Sequence, residues 1–257
     1  MKKMVIRLMI LLGIMFPPGM YGGNQSDGIV NIANVANAAA TSAQEEHDLG
    51  KRYLFKEKNY DEAIKHFTKC IELLPTEAGE AFAYPYYYRG RAYKEKGDIN
   101  KAFADYTLAI QYNAKFAPAY ASRSSILYDM QKYDEALKEI NEAIKSDQKV
   151  PDYVGFRAKC YYKLGKHDKS LPDCNQAIKA EPQWWELYFV RGVSYAMSNN
   201  LEKALQDLGV VIDNDTNRLE RADAYVWRGA IYNKMGDKEK AKKEIAKGRA
   251  MGSKLGQ

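Results

Sequence analysis

Residues 117–150 read APAYASRSSILYDMQKYDEALKEINEAIKSDQKV and decide the fold. The stretch reads as two short amphipathic helices joined by a tight turn, with small residues set among large apolar ones. The same pattern returns along the chain with a step of 34 residues: Gly90, Ser124, Ala158 and Gly192 occupy equivalent positions. A self-similar period of this length predicts a stack of helical hairpins rather than one globular core.

Further columns keep the same phase, which chance would not produce. One column holds small residues in the second helix of each hairpin, and another holds tyrosine or leucine in the first helix. Their members are Ala102, Ala136, Ser170, Ala204 and Ala241, and Tyr93, Leu127, Tyr161, Tyr195 and Tyr232. The columns predict an all-α solenoid of about six helix-turn-helix repeats.

On these columns, and on the motif YDEA at 60–63 and 133–136, the chain resembles the tetratricopeptide repeat family. The resemblance covers roughly residues 44–251. Proline follows the second helix only at Pro75 and Pro182, so the other repeat boundaries are softer. The resemblance implies a right-handed α-solenoid whose first helices line a concave, protein-binding face.

The period divides the chain into a leader, an array of repeats and a short tail. The expected segments are a leader at 1–43, repeats at 44–77, 83–116, 117–150, 151–184, 185–218 and 222–251, and a tail at 252–257. Residues 78–82 and 219–221 are insertions between repeats. The first repeat departs most from the pattern, as expected for a terminal repeat without a neighbour on one side.

The leader begins MKKMVIRLMILLGIMF, a basic start followed by a short apolar core. This core suits a secretory signal and is shorter than the roughly 20 residues that span a bilayer. A run of small residues follows, and we expect cleavage after Ala38, Ala40 or Ala43, with export to the periplasm or the exterior. An uncleaved membrane anchor or a misassigned start codon are the alternatives, because the apolar core lies far from these sites. No cysteine follows the core, which excludes a bacterial lipoprotein anchor.

Composition and motifs argue against several classes of function. A net charge of +6 is too mild to indicate a nucleic-acid partner. The sequence has no HExxH, no CxxC and no Gly-rich phosphate loop, and its three histidines fall in helix-packing columns. We therefore expect no enzyme activity, no cofactor and no metal. Cys70, Cys160 and Cys174 are expected to be buried thiols, although a Cys160–Cys174 bridge would be possible in an exported protein.

One polar column is unusually regular, because an arginine in each first helix precedes an acid by 16 residues. Both flank the core stripe of their helices, so we expect partly buried structural ion pairs within each repeat rather than an arginine ladder for phosphate. The first repeat lacks both members. The pairs are Arg89 with Asp105, Arg123 with Glu139, Arg157 with Asp173, Arg191 with Asp207, and Arg228 with Glu244.

Aromatic residues on the free side of the first helices predict a groove for a protein or peptide partner. In the alternative interpretation the repeats pack more tightly and the same rings belong to the core. The predicted groove residues are Phe55, Tyr84, Tyr87, Arg91, Tyr128, Lys159, Tyr162, Phe189 and Met197.

One binding mode of the family is disfavoured by the residues present. Chaperone-binding relatives hold a C-terminal carboxylate with an asparagine just before the arginine column. In this chain the corresponding residues are Tyr88, Ser122, Phe156, Val190 and Trp227. We therefore expect an adaptor that is not a carboxylate-clamp co-chaperone, with an intracellular or membrane-anchored adaptor or co-chaperone as the alternative.

Overall fold

The computed structural model describes residues 25–74 and 76–255. The described part is built from helices and contains no strand, which confirms the predicted all-α fold of helical hairpins. Helices α1 to α4 span Gln25–Arg52, Tyr60–Leu73, Ala83–Glu95 and Ile99–Tyr112. Helices α5 to α8 span Ala117–Asp129, Tyr133–Ser146, Pro151–Lys163 and His167–Ala180, and α9 to α12 span Trp185–Met197, Leu201–Asn214, Arg218–Lys234 and Lys238–Met251.

The helices group into two compact units, one that ends at Asn113 and one that begins at Ala114. In the first unit α1 packs on α2, α2 on α3, and α3 on α4. In the second unit each helix from α5 to α12 packs on the next along the chain. Helices of 13–14 residues are marginal alone in water, so each depends on its neighbours for stability.

Small residues allow the two helices of a hairpin to approach closely. A Cβ added at Gly90 would lie 2.8 Å from the ring of Tyr106, and one at Gly229 would lie 2.9 Å from the Ala241 carbonyl. Ser124 occupies the same column, and its hydroxyl donates to the Ala136 carbonyl at 2.7 Å. The column therefore sets the distance between helix axes, since a larger side chain would separate them.

Helix α1 crosses the predicted boundary between the leader and the first repeat. It begins at Gln25 and ends at Arg52. The expected cleavage region falls inside this helix, and Ala43 is buried. The basic start and apolar core at 1–16 lie outside the described residues.

Both predicted insertions and the C-terminal tail have regular structure or specific contacts. Residues 76–82 form a 3₁₀ segment interrupted at Gly79, whose φ of 54° suits glycine. The insertion at 219–221 adds a turn to α11, which begins at Arg218 rather than at 222. Ser253, expected in a tail, is buried and its hydroxyl donates to Asp223 Oδ1 at 2.6 Å. The last repeat therefore extends beyond both ends of its predicted range.

Cys70, Cys160 and Cys174 are free and buried, so the possible Cys160–Cys174 bridge is absent. Burial raises the pKa of the Cys160 and Cys174 thiols to about 12. Among the described residues, no helix combines the length and apolar character that crossing a membrane requires.

Candidate functional site

The arginine and acid columns meet inside each hairpin at the 16-residue offset. Three pairs use aspartate and are bidentate: Arg157, for example, donates to Asp173 through Nε at 2.7 Å and Nη2 at 2.8 Å. Arg89 with Asp105 and Arg191 with Asp207 share this geometry. In the other two, Arg123 reaches Glu139 at 2.6 Å and Arg228 reaches Glu244 at 2.8 Å.

Three of the five arginines also contact the preceding repeat, which the sequence columns did not indicate. Arg157 Nη1 donates to Asn141 Oδ1 at 3.3 Å, and Arg191 Nη1 donates to Asn175 Oδ1 at 2.9 Å. Arg89 Nη1 similarly reaches the Thr68 hydroxyl at 3.1 Å. Each of these guanidinium groups therefore joins its own hairpin to the second helix of the preceding repeat. A guanidinium can bond two partners in this way because it is planar and carries five N–H donors in fixed directions.

The first repeat replaces the missing pair by another one. His66 stands in the acid column, and its Nδ1 lies 2.6 Å from Glu46 Oε2. Lys69 Nζ lies 2.5 Å from the other oxygen of the same carboxylate. Glu46 is buried in α1, four residues before the glycine that stands in the arginine column. A contact between α1 and α2 is thus kept with different residue types.

Aromatic and charged residues on the first helices of the second unit form two groups of contacts. We call Tyr128, Phe156, Lys159, Tyr162 and Phe189 the second-unit surface. The Tyr128 and Phe156 ring centres are 5.3 Å apart, and the Tyr162 and Phe189 ring centres are 6.5 Å apart. Lys159 Nζ lies 5.5 Å from the Tyr128 ring centre and 5.6 Å from that of Phe156. Four of the five residues were predicted for the groove; Phe156 was missed because it precedes the arginine column.

The second-unit surface is half-buried rather than fully exposed. Tyr162 packs against the core of α7–α9, and Phe189 packs against that of α9–α11. Burial, followed by the nearby Glu186 carboxylate, raises the pKa of the Tyr128 phenol well above its usual range. Burial, followed by the negative charge of Asp223, raises the pKa of the Tyr162 phenol. The phenols therefore stay neutral, and carboxylates from α9 and α11 face the surface.

The predicted groove residues of the first unit lie on the turn after α1 and on α3. Phe55 is 44% exposed on a π-helical turn at 53–57, and Arg91 stacks over its ring at 4.8 Å. Tyr84 is 50% exposed, whereas Tyr87 is half-buried and lies 5.1 Å from the Tyr88 ring. In the second unit Met197, at the end of α9, is 58% exposed.

Carboxyl groups adjoin the second-unit surface, and the sequence did not reveal them as a group. Lys159 Nζ forms an ion pair of 2.6 Å with Glu186 Oε1. Burial, then a hydrogen bond with Asp215, raises the pKa of Glu220 to about 7. Glu220 lies in the insertion at 219–221, where the repeat period carries no information. That irregularity was the only signal available in the sequence.

Comparisons with known proteins agree with the repeat architecture. Family models described as tetratricopeptide repeat match residues 47–76, 83–116, 122–183, 161–217 and 222–248. The crystal structure of YrrB, a TPR protein with an unusual peptide-binding site, has 24% identity and a TM-score of 0.63 over 74% of this chain and 94% of its own. The structure of pilF from Pseudomonas aeruginosa has 13% identity and a TM-score of 0.64 over 80% of this chain and 90% of its own. At these identities the likeness concerns the fold.

Curated relatives match only a part of this chain. The Hsp70-Hsp90 organizing protein 3 of Arabidopsis thaliana is 29% identical over 98 residues. That alignment covers 38% of this chain and 16% of the relative. The Hsp70-Hsp90 organizing protein of Triticum aestivum is 28% identical over 96 residues, which again is 16% of its length.

Proposed function

Because the chain belongs to the tetratricopeptide repeat family, we propose that it is a non-catalytic adaptor that binds a peptide or an extended protein segment on the second-unit surface. The fold supports a role in protein–protein interaction. Neither a cofactor nor a nucleic acid takes part in the proposed function.

The observation that carries the proposal is the run of contacts from Tyr128 through Phe156 to Lys159. Aromatic rings from successive first helices lie side by side, half-exposed, and hold a cation between them. Rings of this kind give a large contact area at a small entropic cost, which is typical of binding hot spots. A peptide-binding site is also described for YrrB, whose fold is similar to that of this chain.

The proposal is tested by selecting a phage-displayed library of random 12-residue peptides on the immobilised full-length chain. We expect enrichment of a recognisable sequence class on the wild-type protein. Tyr128→Ala should weaken the enriched peptides by about 2 kcal/mol, as expected for loss of a hot-spot ring. Tyr195→Ala is the matched control, because Tyr195 also lies on a first helix and packs against the core but is outside the second-unit surface.

Denaturant unfolding of both variants separates lost binding from lost folding. Binding should be compared at a temperature where both variants are fully folded. Equal affinity of the two variants for the enriched peptides would refute the assignment of this surface.

A second candidate, an intracellular or membrane-anchored co-chaperone, is favoured by the partial similarity to Hsp70-Hsp90 organizing proteins. The residues before the arginine column speak against the carboxylate-holding mode, because none of them is asparagine. Chaperone C-terminal peptides, with and without a free carboxylate, test this candidate directly. A clear preference for the free carboxylate would favour it over the proposed adaptor.

We further propose that the adaptor acts after export from a bacterial cytoplasm. The basic start, the short apolar core and the alanine run support this part of the proposal. N-terminal sequencing of the protein from its native host tests it. Cleavage within 38–43 is expected, and an intact Met1 in a cytosolic fraction would contradict export.

A further inference from the structure

Two packing columns of the second helices are apolar in every repeat except the last. The first column is leucine, isoleucine or phenylalanine before α12, and the second is always isoleucine. Their members are Ile64, Phe103, Leu137, Leu171 and Leu205, and Ile71, Ile110, Ile144, Ile178 and Ile212. In α12 the corresponding residues are Lys242 and Arg249, both exposed. They lie on the same face of the helix, because they are two turns apart.

In the earlier repeats these columns receive the first helix of the next repeat. Ile178 of α8 belongs to one buried cluster with Leu187 and Val190 of α9. Ile212 of α10 belongs to another with Ala224 of α11. A lysine or arginine at such a position cannot bury its charge against an apolar helix without a large cost. The free face of α12 therefore suits a charged partner, not another helix of the apolar type.

Gly50 aligns α1 with the other first helices. A Cβ at Gly50 would lie 2.7 Å from the Phe67 ring, just as one at Gly90 would lie 2.8 Å from the Tyr106 ring. The sequence period assigns Gly50 to the arginine column, one position away. The π-helical turn at 53–57 takes up this difference of one residue. In the structure, Gly50 thus occupies the small-residue column.

Counted from this glycine, α1 departs from the first helices in the two columns that meet the preceding repeat. In the later first helices these columns are mostly apolar and buried or half-buried. Their members are Pro85, Ala119, Tyr153, Leu187 and Ala224, and Tyr88, Ser122, Phe156, Val190 and Trp227. In α1 the same columns pass through Glu45 and Asp48, which are both exposed. They lie one turn apart on one face of the helix.

The acidic character of this α1 face is not cancelled by its neighbours. Gln44 donates to Asp48 Oδ2 at 3.0 Å, and His47 Nδ1 lies 3.5 Å from Asp48 Oδ1. Glu45 forms no ion pair with any residue of the described ranges. The other charged residues at 44–52 have partners within the first unit: Glu46 pairs with His66 and Lys69, Lys51 lies over the Tyr88 ring, and Arg52 pairs with Glu57.

The hairpin of α11 and α12 holds the net positive charge of the chain. Residues 218–257 contain 11 lysines and arginines and 5 aspartates and glutamates, a net charge of +6, which equals that of the whole chain. Two of these acids are neutralised within the hairpin, Asp237 by Lys240 at 2.8 Å and Glu244 by Arg228 at 2.6 Å. Glu239 is exposed one turn before Lys242. In the part of the chain that the structure describes, Lys242 has no ion-pair partner.

We propose that copies of this chain associate head to tail, with the Lys242 and Arg249 face of α12 lying on the Glu45 and Asp48 face of α1 in the next copy. These positions are equivalent to those that touch wherever a first helix follows a second helix within the chain. Terminal faces of a repeat array are polar for solubility, whatever the sign of their charge. Here opposite signs stand at the positions that would meet, so the two faces attract each other. The contact is heterologous, because different surfaces of the two copies take part.

Sedimentation velocity of the full-length chain at several concentrations tests the proposal. We expect self-association in about 25 mM salt that weakens about tenfold in 500 mM salt, because exposed charges are screened. Lys242→Glu should weaken it about tenfold, since the change replaces attraction by repulsion. Lys243→Glu is the matched control, because it changes the net charge equally in a column that is exposed in every second helix. It should alter the dissociation constant by less than about twofold.

Charge reversal at both ends gives a rescue experiment. Lys242→Glu with Arg249→Glu makes both ends acidic, and Glu45→Lys with Asp48→Lys makes both ends basic. Each double variant alone should be monomeric in about 25 mM salt, whereas an equimolar mixture of the two should associate, because every contact in it joins opposite charges. Restored association in the mixture also shows that both variants are folded.

A wild-type chain that stays monomeric in low salt would overturn the inference, as would equal effects of Lys242→Glu and Lys243→Glu or a mixture that does not associate. A monomeric wild type that binds hexaglutamate through Lys242 would likewise overturn it and would assign the face to an acidic partner. The inference does not rest on the proposed function, since it uses other surfaces. Tyr128→Ala, which tests the second-unit surface, should leave self-association unchanged.

Discussion

Removing one arginine of the ion-pair column should destabilise the protein far more than removing an exposed lysine. Arg157 makes two short bonds to Asp173 and one to Asn141 of the preceding repeat. The side chain of Asp173 is only 8% exposed, whereas that of Arg157 is 25% exposed. Arg157→Ala therefore leaves a nearly buried carboxylate without its two arginine donors.

The magnitude follows from this burial. Breaking a buried pair costs about 3–5 kcal/mol, whereas an exposed pair contributes about 0–1 kcal/mol. Since Arg157 is mostly but not fully buried, we expect the lower end of the buried range, about 3 kcal/mol. The lost bond to Asn141 is included in that figure, because at 3.3 Å it is the longest of the three.

Urea unfolding, monitored by circular dichroism, measures the decrease in the free energy of unfolding. Lys145→Ala is the matched control, because Lys145 pairs with Glu142 at 3.4 Å on the neighbouring helix with both side chains largely exposed. The double variant Arg157→Ala with Asp173→Ala completes a cycle that isolates the pair itself. If Arg157→Ala and Lys145→Ala lower the free energy of unfolding equally, the column faces solvent and the reasoning is refuted.

Three further predictions concern packing and titration. Gly229→Ala should lower the free energy of unfolding by about 1–3 kcal/mol, because its Cβ would lie 2.7 Å from an isoleucine side chain. Gly209→Ala, with open space around it, should raise the free energy of unfolding by about 0.5–1 kcal/mol. Thermal melts compare the two variants, and a change of the same sign in both would contradict the packing argument. Cys160 and Cys174 should not react with a disulfide reagent at pH 8 in the folded protein, because burial keeps both thiols protonated. After denaturation without reductant, all three thiols of the chain should react. Reaction of only one thiol in the denatured protein would indicate a Cys160–Cys174 bridge. Burial lowers the pKa of His47, so the neutral imidazole contributes stability above about pH 6.5, and this contribution is lost as the pH falls toward the folded-state pKa. In urea unfolding, His47→Gln should therefore lose less stability than the wild type between pH 7.5 and pH 5. An equal pH dependence of the free energy of unfolding in the two proteins would show that His47 is hydrated.

The periodic part of the molecule could be predicted from the residues alone. A helical hairpin is a local structure, so a step of 34 residues and an offset of 16 between arginine and acid place partners within one repeat. Arg157 and Asp173 meet for this reason, and so do Ser124 and the Ala136 carbonyl. The period carries no such information where it is interrupted, which is why α11 begins earlier than expected and α1 extends into the predicted leader.

The candidate site depends on contacts between repeats, which the period does not encode. Phe156 occupies a position that the column pattern treats as the neighbour of a structural arginine, yet its ring lies against Tyr128 and Lys159. The sequence determined which residue types the first helices carry and which helices pair. Only the packing of one hairpin on the next decided how deeply each ring is buried. The physical reason is that burial and pKa depend on groups from several helices, whose distances follow from tertiary packing rather than from spacing along the chain.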